Sequence, residues 1–183
     1  MANGVIIESR IQATNIDALN RTAQATVDVA GGGLVSLAAS GTQGNEVWTA
    51  TAPADGTLGD LWIAYNPAEH LTVVNDKMFA GLSADPRDYA NVANRPFDVF
   101  KPVVGDEIDI TVDCVDSTSS SVVAGDFLES KAGQTTFTRV AAGTGATAGS
   151  TAFVVEYVGV EPFPQAGIGM AQVKMFRCKC VQA

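Results

Sequence analysis

The sequence predicts an all-β protein: an antiparallel β-sandwich or barrel with an irregular inserted segment and an extended N-terminal arm. Short stretches of alternating apolar and polar residues recur about every 10 to 14 residues, and no long helical period occurs. Gly-Asp dipeptides introduce three of these stretches, at Gly59-Asp60, Gly105-Asp106 and Gly125-Asp126. Because glycine adopts positive φ freely and aspartate hydrogen-bonds to nearby backbone, each dipeptide can turn the chain into a strand.

The predicted strands lie on both sides of residues 67–101, a proline-containing stretch that breaks the rhythm and predicts an inserted loop. Within that loop, we expect Phe97 and Phe100 to pin the insertion onto the sheet. The predicted strands are Ile6–Ile11, Thr22–Val29, Leu34–Ala38, Glu46–Thr51, Leu61–Tyr65, Glu107–Cys114, Phe127–Ser130, Thr135–Ala141, Thr151–Val158 and Gly169–Val181.

Residues 1–21 are predicted to form the arm, and residues 22–183 the β-rich body. The arm carries apolar residues such as Ile6, but no turn follows that would fold it tightly back onto the next strand. Such a segment either pairs within its own sheet or donates a strand to an exposed edge of a neighbouring subunit. We expect the second arrangement, because an arm that reaches beyond its own subunit adds avidity on a lattice.

Composition excludes several classes of partner. The chain has 183 residues, of which 46% are hydrophobic, enough for the core of one domain. Its 11 basic and 20 acidic residues give a net charge of −9, which opposes nucleic acid and anionic lipid surfaces. Its longest uncharged runs are too weakly apolar to predict a membrane segment, and the first residues do not resemble a secretory signal. We therefore expect a protein that is made and used without passing through the secretory pathway.

The residues that could carry chemistry do not form a recognisable motif. Three cysteines, Cys114, Cys178 and Cys180, give no disulfide framework, and a Cys-x-Cys pair supplies only two of the four ligands that tetrahedral zinc needs. We expect ordinary half-buried thiols and no metal or cofactor. His70 is the only histidine and lies beside Glu69, where a solvated or capping role is expected over catalysis.

Asp106 of the second Gly-Asp dipeptide and the three aspartates named with it lack the glycine-centred loop and the bidentate glutamate of a calcium site. A solvated acidic strand face is therefore expected for Asp106, Asp109, Asp113 and Asp116.

Five stretches of the chain share a pattern of turns and strand beginnings: Thr57–Pro67, Asp88–Thr111, Val122–Leu128, Phe153–Val158 and Ala171–Arg177. In order and texture, these stretches resemble the head decoration, or cement, proteins of tailed bacteriophages. The resemblance covers roughly residues 22–181 and is not a signature of catalytic residues. It implies a non-enzymatic β-rich protein, made in the host cytoplasm, that binds the outside of an icosahedral shell in many copies and reinforces contacts between major capsid subunits.

The resulting hypothesis is a capsid decoration protein on the virion exterior, whose partner is the major capsid protein and which forms homo-oligomers on the lattice. Two alternatives remain: a tail-tube or head-fibre subunit, and, in a different class, a small all-β hydrolase that uses His70. No binding residues transfer from the resemblance, so candidate capsid contacts come from the apolar arm and from basic side chains. They are Val5, Ile7, Arg10, Ile11, Arg21, Lys174, Arg177 and Lys179.

Overall fold

The computed structural model of the chain describes residues 2–11, 19–40, 46–68, 71–74, 77–80, 83–165 and 169–183. The all-β prediction is confirmed: the described strands form a closed five-stranded barrel, a five-stranded sheet and a two-stranded hairpin. The strands are β1 (Asn20–Ala25), β2 (Leu34–Ser40), β3 (Val47–Thr51), β4 (Trp62–Ala64), β5 (Leu71–Val74), β6 (Lys77–Ala80), β7 (Pro96–Phe100), β8 (Glu107–Thr111), β9 (Phe127–Glu129), β10 (Thr138–Val140), β11 (Ala152–Gln165) and β12 (Gly169–Gln182).

The barrel closes in the order β1-β3-β2-β4-β7, and β7 pairs back onto β1. Its interior holds four alanines, Ala23, Ala25, Ala50 and Ala64, all at most 4% exposed, packed with larger apolar side chains such as Phe97 and Val99. Barrel diameter grows with strand number, so the interior of a five-stranded barrel is narrow and alanine is needed at several inward positions. The alternation of residues 21–29 predicts that Ala23, Ala25, Val27 and Val29 share one buried face. Ala23, Ala25 and Val29 are buried, but Val27 is 60% exposed because β1 ends at Ala25.

One strand pair departs from the antiparallel prediction. β1 and β3 run parallel, with Ala23 in register with Trp48, whereas the other barrel pairs are antiparallel. β3 lies between β1 and β2, which run in opposite directions, so it must be parallel to one of them. This arrangement depends on strand order in space, which periodicity along the chain does not encode.

The inserted segment is shorter than predicted. β4 pairs directly with β7, through Ile63 with Phe100 and Ala64 with Val99, so the insertion comprises residues 65–95. It contains the β5–β6 hairpin and a 3-10 turn at Pro86–Asp88. The predicted boundary of residues 67–101 is wrong at its C-terminal end because Pro96 is the first residue of a strand, a position where proline costs no ladder hydrogen bond.

The second sheet has the order β10-β9-β11-β12-β8, with the long β11–β12 hairpin at its centre. Its core face meets the barrel: Leu34, Ile63 and Phe100 of the barrel belong to the same buried cluster as Ile110 and Phe176 of the sheet. The barrel and the sheet therefore share one hydrophobic core, and neither buries its apolar face without the other.

The described part of the N-terminal segment lies on its own sheet. Ile6 forms an antiparallel bridge with Ile110 of β8, Ile7 N–H donates to Asp109 O at 2.8 Å, and Thr111 N–H donates to Val5 O at 2.9 Å. Residues 5–7 thus occupy the position of a sixth strand at the β8 edge. The prediction of an arm that leaves its own subunit is wrong for these residues, because the free edge of β8 satisfies their backbone groups. Residues 12–18 lie outside the described part of the chain.

A side chain from the insertion holds this segment from its other side. Asn66 accepts from Ile6 N–H through Oδ1 at 3.0 Å and donates to Ile6 O through Nδ2 at 2.7 Å. Glu8 Oε1 accepts from Asn66 N–H at 3.0 Å. Ile6 is fully buried as a result. The side-chain amide of Asn66 thus makes with Ile6 the two hydrogen bonds that the backbone of a neighbouring strand would make.

Two of the three Gly-Asp dipeptides form the same turn. In the first, Gly105 has φ +103°, Asp106 N–H donates to Val103 O at 2.9 Å, and Asp106 Oδ2 accepts from Val103 N–H at 2.8 Å. The turn at residues 123–126 repeats this pattern, with φ +92° at Gly125 and corresponding hydrogen bonds of 3.2 and 3.0 Å. Each turn directs the chain into a strand, as the sequence predicts.

These turns dock on the central hairpin and bury their carboxylates. Gly105 N–H donates to Cys180 O at 2.8 Å, and Gly125 N–H donates to Val155 O at 2.7 Å. Asp106 and Asp109 are buried, so the expected solvated acidic face on β8 is wrong. Asp60 of the third dipeptide differs, because its side chain is 71% exposed and pairs with Lys101.

Candidate interaction surface

The apolar residues of the N-terminal segment pack against their own sheet. Val5 is 4% exposed and packs with Phe163 and Val173 of the central hairpin, with Ile7 against the same cluster. Ile11 is partly buried against the main core. These three predicted capsid contacts are therefore structural residues of the sheet in this structure.

Arg10 and Arg177 are engaged by the same buried carboxylate. Arg177 donates through Nε and Nη2 to the two oxygens of Asp109 at 2.9 and 3.0 Å, and Asp109 is 1% exposed. Arg10 Nη1 lies 3.5 Å from Asp109 Oδ2 and 2.8 Å from Glu161 Oε2. The hydrogen bonds that Arg177 donates to Asp109 raise the pKa of Arg177. Both guanidinium groups thus compensate the buried charge of Asp109. This intramolecular role favours a structural function for the two arginines over a contact with a capsid.

The three basic residues of β12 that are predicted capsid contacts lie on two faces of the sheet. Alternate residues of a strand point to opposite faces, so Lys174 lies on one face and Arg177 and Lys179 lie on the other. Lys174 Nζ donates to three backbone carbonyls, of Ser119, Ser120 and Val122, at 3.2 to 3.4 Å. Its ammonium ties the loop 119–122 to the hairpin and does not form a continuous basic patch.

The outer half of the β11–β12 hairpin extends beyond its sheet. β9 pairs only with Ala152–Val154 of β11, and β8 pairs only with Met175–Lys179 of β12. We call residues 156–165 and 169–174 the ribbon; they are the part of the hairpin that lies past those flanking ladders. Three large apolar side chains of the ribbon are exposed: Tyr157 at 58%, Val160 at 61% and Met170 at 59%.

The two faces of the ribbon differ. One face carries Phe163 and Val173, which pack on the N-terminal segment. On the opposite face, Val160 is in register with Lys174, Pro162 with Gln172, and Pro164 with Met170. This face, which we call the apolar strip, consists of Val160, Pro162, Pro164 and Met170, and all four are exposed.

The prolines also affect the edge of β11. Proline has no backbone N–H, so a partner strand that paired with this edge would find no donor at Pro162 or Pro164. Edge prolines are a common protection against uncontrolled strand addition. A partner is therefore expected to contact the side chains of the apolar strip and not the main chain of the edge.

A small groove of about 340 Å³, lined by residues 122–124 and 156–158, lies at the base of the ribbon.

A larger cleft of about 1500 Å³ lies between the barrel wall and the inserted segment. Trp48 and Tyr65 line it, and the guanidinium carbon of Arg21 sits 5.3 Å from the centroid of the Trp48 ring. The predicted capsid contact Arg21 therefore belongs to this cleft. Burial, and then the nearby carboxylates of Glu8 and Asp98, raise the pKa of Tyr65 above its ordinary value.

The cysteines point into the core. Cys178 and Cys180 share one face of β12 and, like Cys114, are buried, which is deeper than the half-buried thiols predicted. Burial raises the pKa of Cys114 to about 12 and of Cys180 to about 11, and raises the pKa of Cys178 well above its ordinary value. Protonated thiols are poor nucleophiles and poor metal ligands.

Other chemistry has little support in the described residues. No group of three or more His, Cys, Asp or Glu side chains in that part of the chain is placed to hold a metal ion. His70 falls outside the described residues. Across the same residues, no helix is both long and apolar enough to cross a membrane. Comparison with known proteins found no matching family model, no matching curated protein and no matching solved structure.

Proposed function

We propose that this chain is a structural virion protein that binds the outer surface of an icosahedral phage capsid and stabilises contacts between major capsid subunits. The observation that carries the proposal is the apolar strip on a projecting ribbon. Its large side chains Val160 and Met170 are 61% and 59% exposed in a chain whose charge is −9. Exposed apolar surface of this kind, next to polar surface, marks an interaction site.

The ribbon is suited to binding a rigid surface. One face is anchored by Phe163 and Val173 on the N-terminal segment, and the loop 119–122 is tied to its base by Lys174. A supported ribbon loses little conformational freedom when it docks, so more of its apolar burial contributes to affinity. On a capsid, many weak contacts of this kind stabilise the shell by mass action.

The resemblance in turn pattern to phage head decoration proteins supports the same role. The Gly-Asp turns at 103–106 and 123–126, which form much of that pattern, are built alike and both dock on the hairpin that carries the strip. They are therefore part of the support for the proposed contact surface. The net charge of −9 keeps free copies apart before they meet the shell.

The test compares two aspartate variants at equally exposed valines. Val160 is 61% exposed on the apolar strip, and Val27 is 60% exposed outside it. Capsids of the parent phage that lack this chain are incubated with each variant and sedimented. We expect Val160→Asp to weaken binding by about tenfold or more, since it loses the burial of a valine and places a charge in the interface. Val27→Asp should bind as the unaltered protein does.

The outcomes separate the proposal from its rivals. Equal binding by the two variants would show that the strip is not the contact surface, and retention on DNA without capsid binding would refute the role itself. A tail-tube subunit would polymerise into rings without capsids, which sedimentation velocity of the protein alone detects. A hydrolase would lose a measurable activity on His70→Ala. Thermal melting of Val160→Asp serves as the folding control.

A further inference from the structure

The cleft between the barrel and the inserted segment has the chemistry of a sugar-binding surface. We propose that it binds an uncharged oligosaccharide chain by contact with the ring of Trp48 and hydrogen bonds to the polar side chains beside it. This site is separate from the apolar strip, and the inference does not depend on the proposed capsid role. Its support comes from the aromatic groups, the charges, the size and the preformed walls of the cleft.

The aromatic groups come from two elements. Trp48 belongs to β3 and is half-buried, and the guanidinium of Arg21 packs over its ring at 5.3 Å. Tyr65 follows β4, and its ring packs on Phe100 with centroids 5.0 Å apart. Both side chains are thus held by neighbours while part of each remains exposed. Held aromatic rings give a large apolar contact at low conformational cost.

The polar groups around these rings can both donate and accept hydrogen bonds. Asp98 accepts from Thr22 Oγ1 at 3.0 Å, and a carboxylate has capacity for further donors. Asn20 accepts from the phenol of Tyr65 at 3.4 Å and also carries an amide NH₂. Sugar hydroxyls donate and accept at the same atom, so they match a mixed set of this kind.

The charges of the lining favour a neutral ligand. Among the described residues of the lining, two guanidinium groups, of Arg21 and Arg95, share the cleft with the carboxylates of Glu8, Glu46 and Asp98. A polyanion would meet three like charges, and a polycation would meet two. An uncharged chain with many hydroxyls avoids both penalties.

Size points to a chain and not to a small molecule. The volume of about 1500 Å³ exceeds the range of about 300 to 1,000 Å³ that is usual for small-molecule pockets. The walls are also preformed: Tyr65 N–H donates to Asp98 O at 3.0 Å, and Asn91 of the insertion exchanges two backbone hydrogen bonds, of 2.8 and 2.9 Å, with Val29 of the barrel cluster. These bonds fix the insertion against the barrel before any ligand binds, which lowers the cost of binding.

Tryptophan fluorescence tests the inference directly. The chain has two tryptophans, Trp48 and Trp62, so Trp62→Phe leaves Trp48 as the only reporter. This variant is titrated at millimolar concentrations with maltohexaose, cellohexaose and hexa-N-acetylchitohexaose, each in turn, with glycerol as a control. We expect a saturable change in Trp48 emission with at least one hexasaccharide. No saturable change with any of the three, or an equal change with glycerol, overturns the proposal.

Two further variants locate the binding. In calorimetric titrations with the responding hexasaccharide, Trp48→Ala should abolish the heat of binding, and Asp98→Ala should weaken binding by about tenfold, the loss of one hydrogen bond to a charged group. Asp60→Ala removes an exposed aspartate outside the cleft lining and should leave binding unchanged. Trp48→Phe keeps a ring and should retain binding, which distinguishes ring contact from misfolding. Unaltered binding by Trp48→Ala, or tighter binding of dextran sulfate than of any neutral sugar, would contradict the assignment.

Discussion

Replacement of Asp126 by alanine should destabilise the protein far more than the same change at Asp60, although both follow a glycine in the same dipeptide. Asp126 is 2% exposed and accepts from Val123 N–H at 3.0 Å, Ala142 N–H at 3.2 Å and Arg139 Nε at 2.6 Å. Alanine leaves all three donors without this acceptor. Asp60 is 71% exposed and has one ion pair, with Lys101.

The expected loss of stability for Asp126→Ala depends on how exposed its ion-pair partner, Arg139, is. Removal of one member of a buried ion pair costs about 3 to 5 kcal/mol. The Arg139 side chain is 27% exposed and can regain part of its hydration, so we expect a loss for Asp126→Ala at the lower end, about 3 kcal/mol. For a chain of this length, that corresponds to a fall in Tm of about 6 to 12 °C. Asp60→Ala should cost less than about 1 kcal/mol, as exposed ion pairs do.

Urea denaturation and calorimetry of the two variants measure this difference. A third variant, Asp126→Asn, keeps the shape and one acceptor oxygen but removes the charge, so its stability should fall between the unaltered protein and Asp126→Ala. The reasoning is refuted if Asp126→Ala and Asp60→Ala lower the free energy of unfolding equally. It is also refuted if Asp126→Ala costs less than about 1 kcal/mol, because the buried turn would then contribute no more than a surface pair.

The same carboxylate predicts a pH dependence. Burial alone would raise the pKa of Asp126, but hydrogen bonds from Arg139, Val123 and Ala142 outweigh it and hold the pKa below its ordinary value of 3.8. A group with a lowered pKa in the folded state contributes stability that is fully present above 3.8 and is lost as the pH falls through the folded-state pKa. The free energy of unfolding should therefore decline in acid, and Asp126→Ala should show a smaller decline. Parallel curves for the two proteins would contradict the assignment.

Three other predictions concern the core. Phe100→Ala should cost about 3 to 5 kcal/mol in urea denaturation, because Phe100 is 3% exposed in the cluster that joins barrel and sheet; an unchanged midpoint would refute that placement. Deletion of residues 2–11 should lower the melting temperature, since it removes the fully buried Ile6 and uncovers the β8 edge; an unchanged Tm would show that the sheet does not need this strand. Cys114 and Cys180, with pKa values of about 12 and 11, should not react with a thiol reagent at pH 7 until the chain unfolds; rapid labelling of the native protein would contradict their burial.

The sequence alone predicted most strands to within a few residues. Alternation in β1 identifies Ala23 and Ala25 as inward-facing, and the Gly-Asp turns at 105–106 and 125–126 lead into β8 and β9 as expected. The candidate capsid contacts stay predictions: Val5 is buried in its own sheet, and Lys174 and Arg177 lie on opposite faces of β12. Apolar character and charge in a sequence do not tell whether a side chain meets its own fold or a partner.

The local sequence pattern determined the secondary structure of each segment. Turns and strands depend on the backbone preferences of neighbouring residues and on the alternation of apolar and polar side chains, and both can be read from the sequence. Tertiary structure decided which segments meet. The return of β7 to β4 after residues 65–95, and the addition of residues 5–7 to β8, join parts far apart in sequence. Loop closure cost grows only slowly with length, so the chain imposes little preference for near partners over distant ones. The burial of complementary surfaces therefore decides which segments meet. The same Gly-Asp dipeptide is buried at Asp106 and Asp126, where the turn docks on the central hairpin, and is exposed at Asp60.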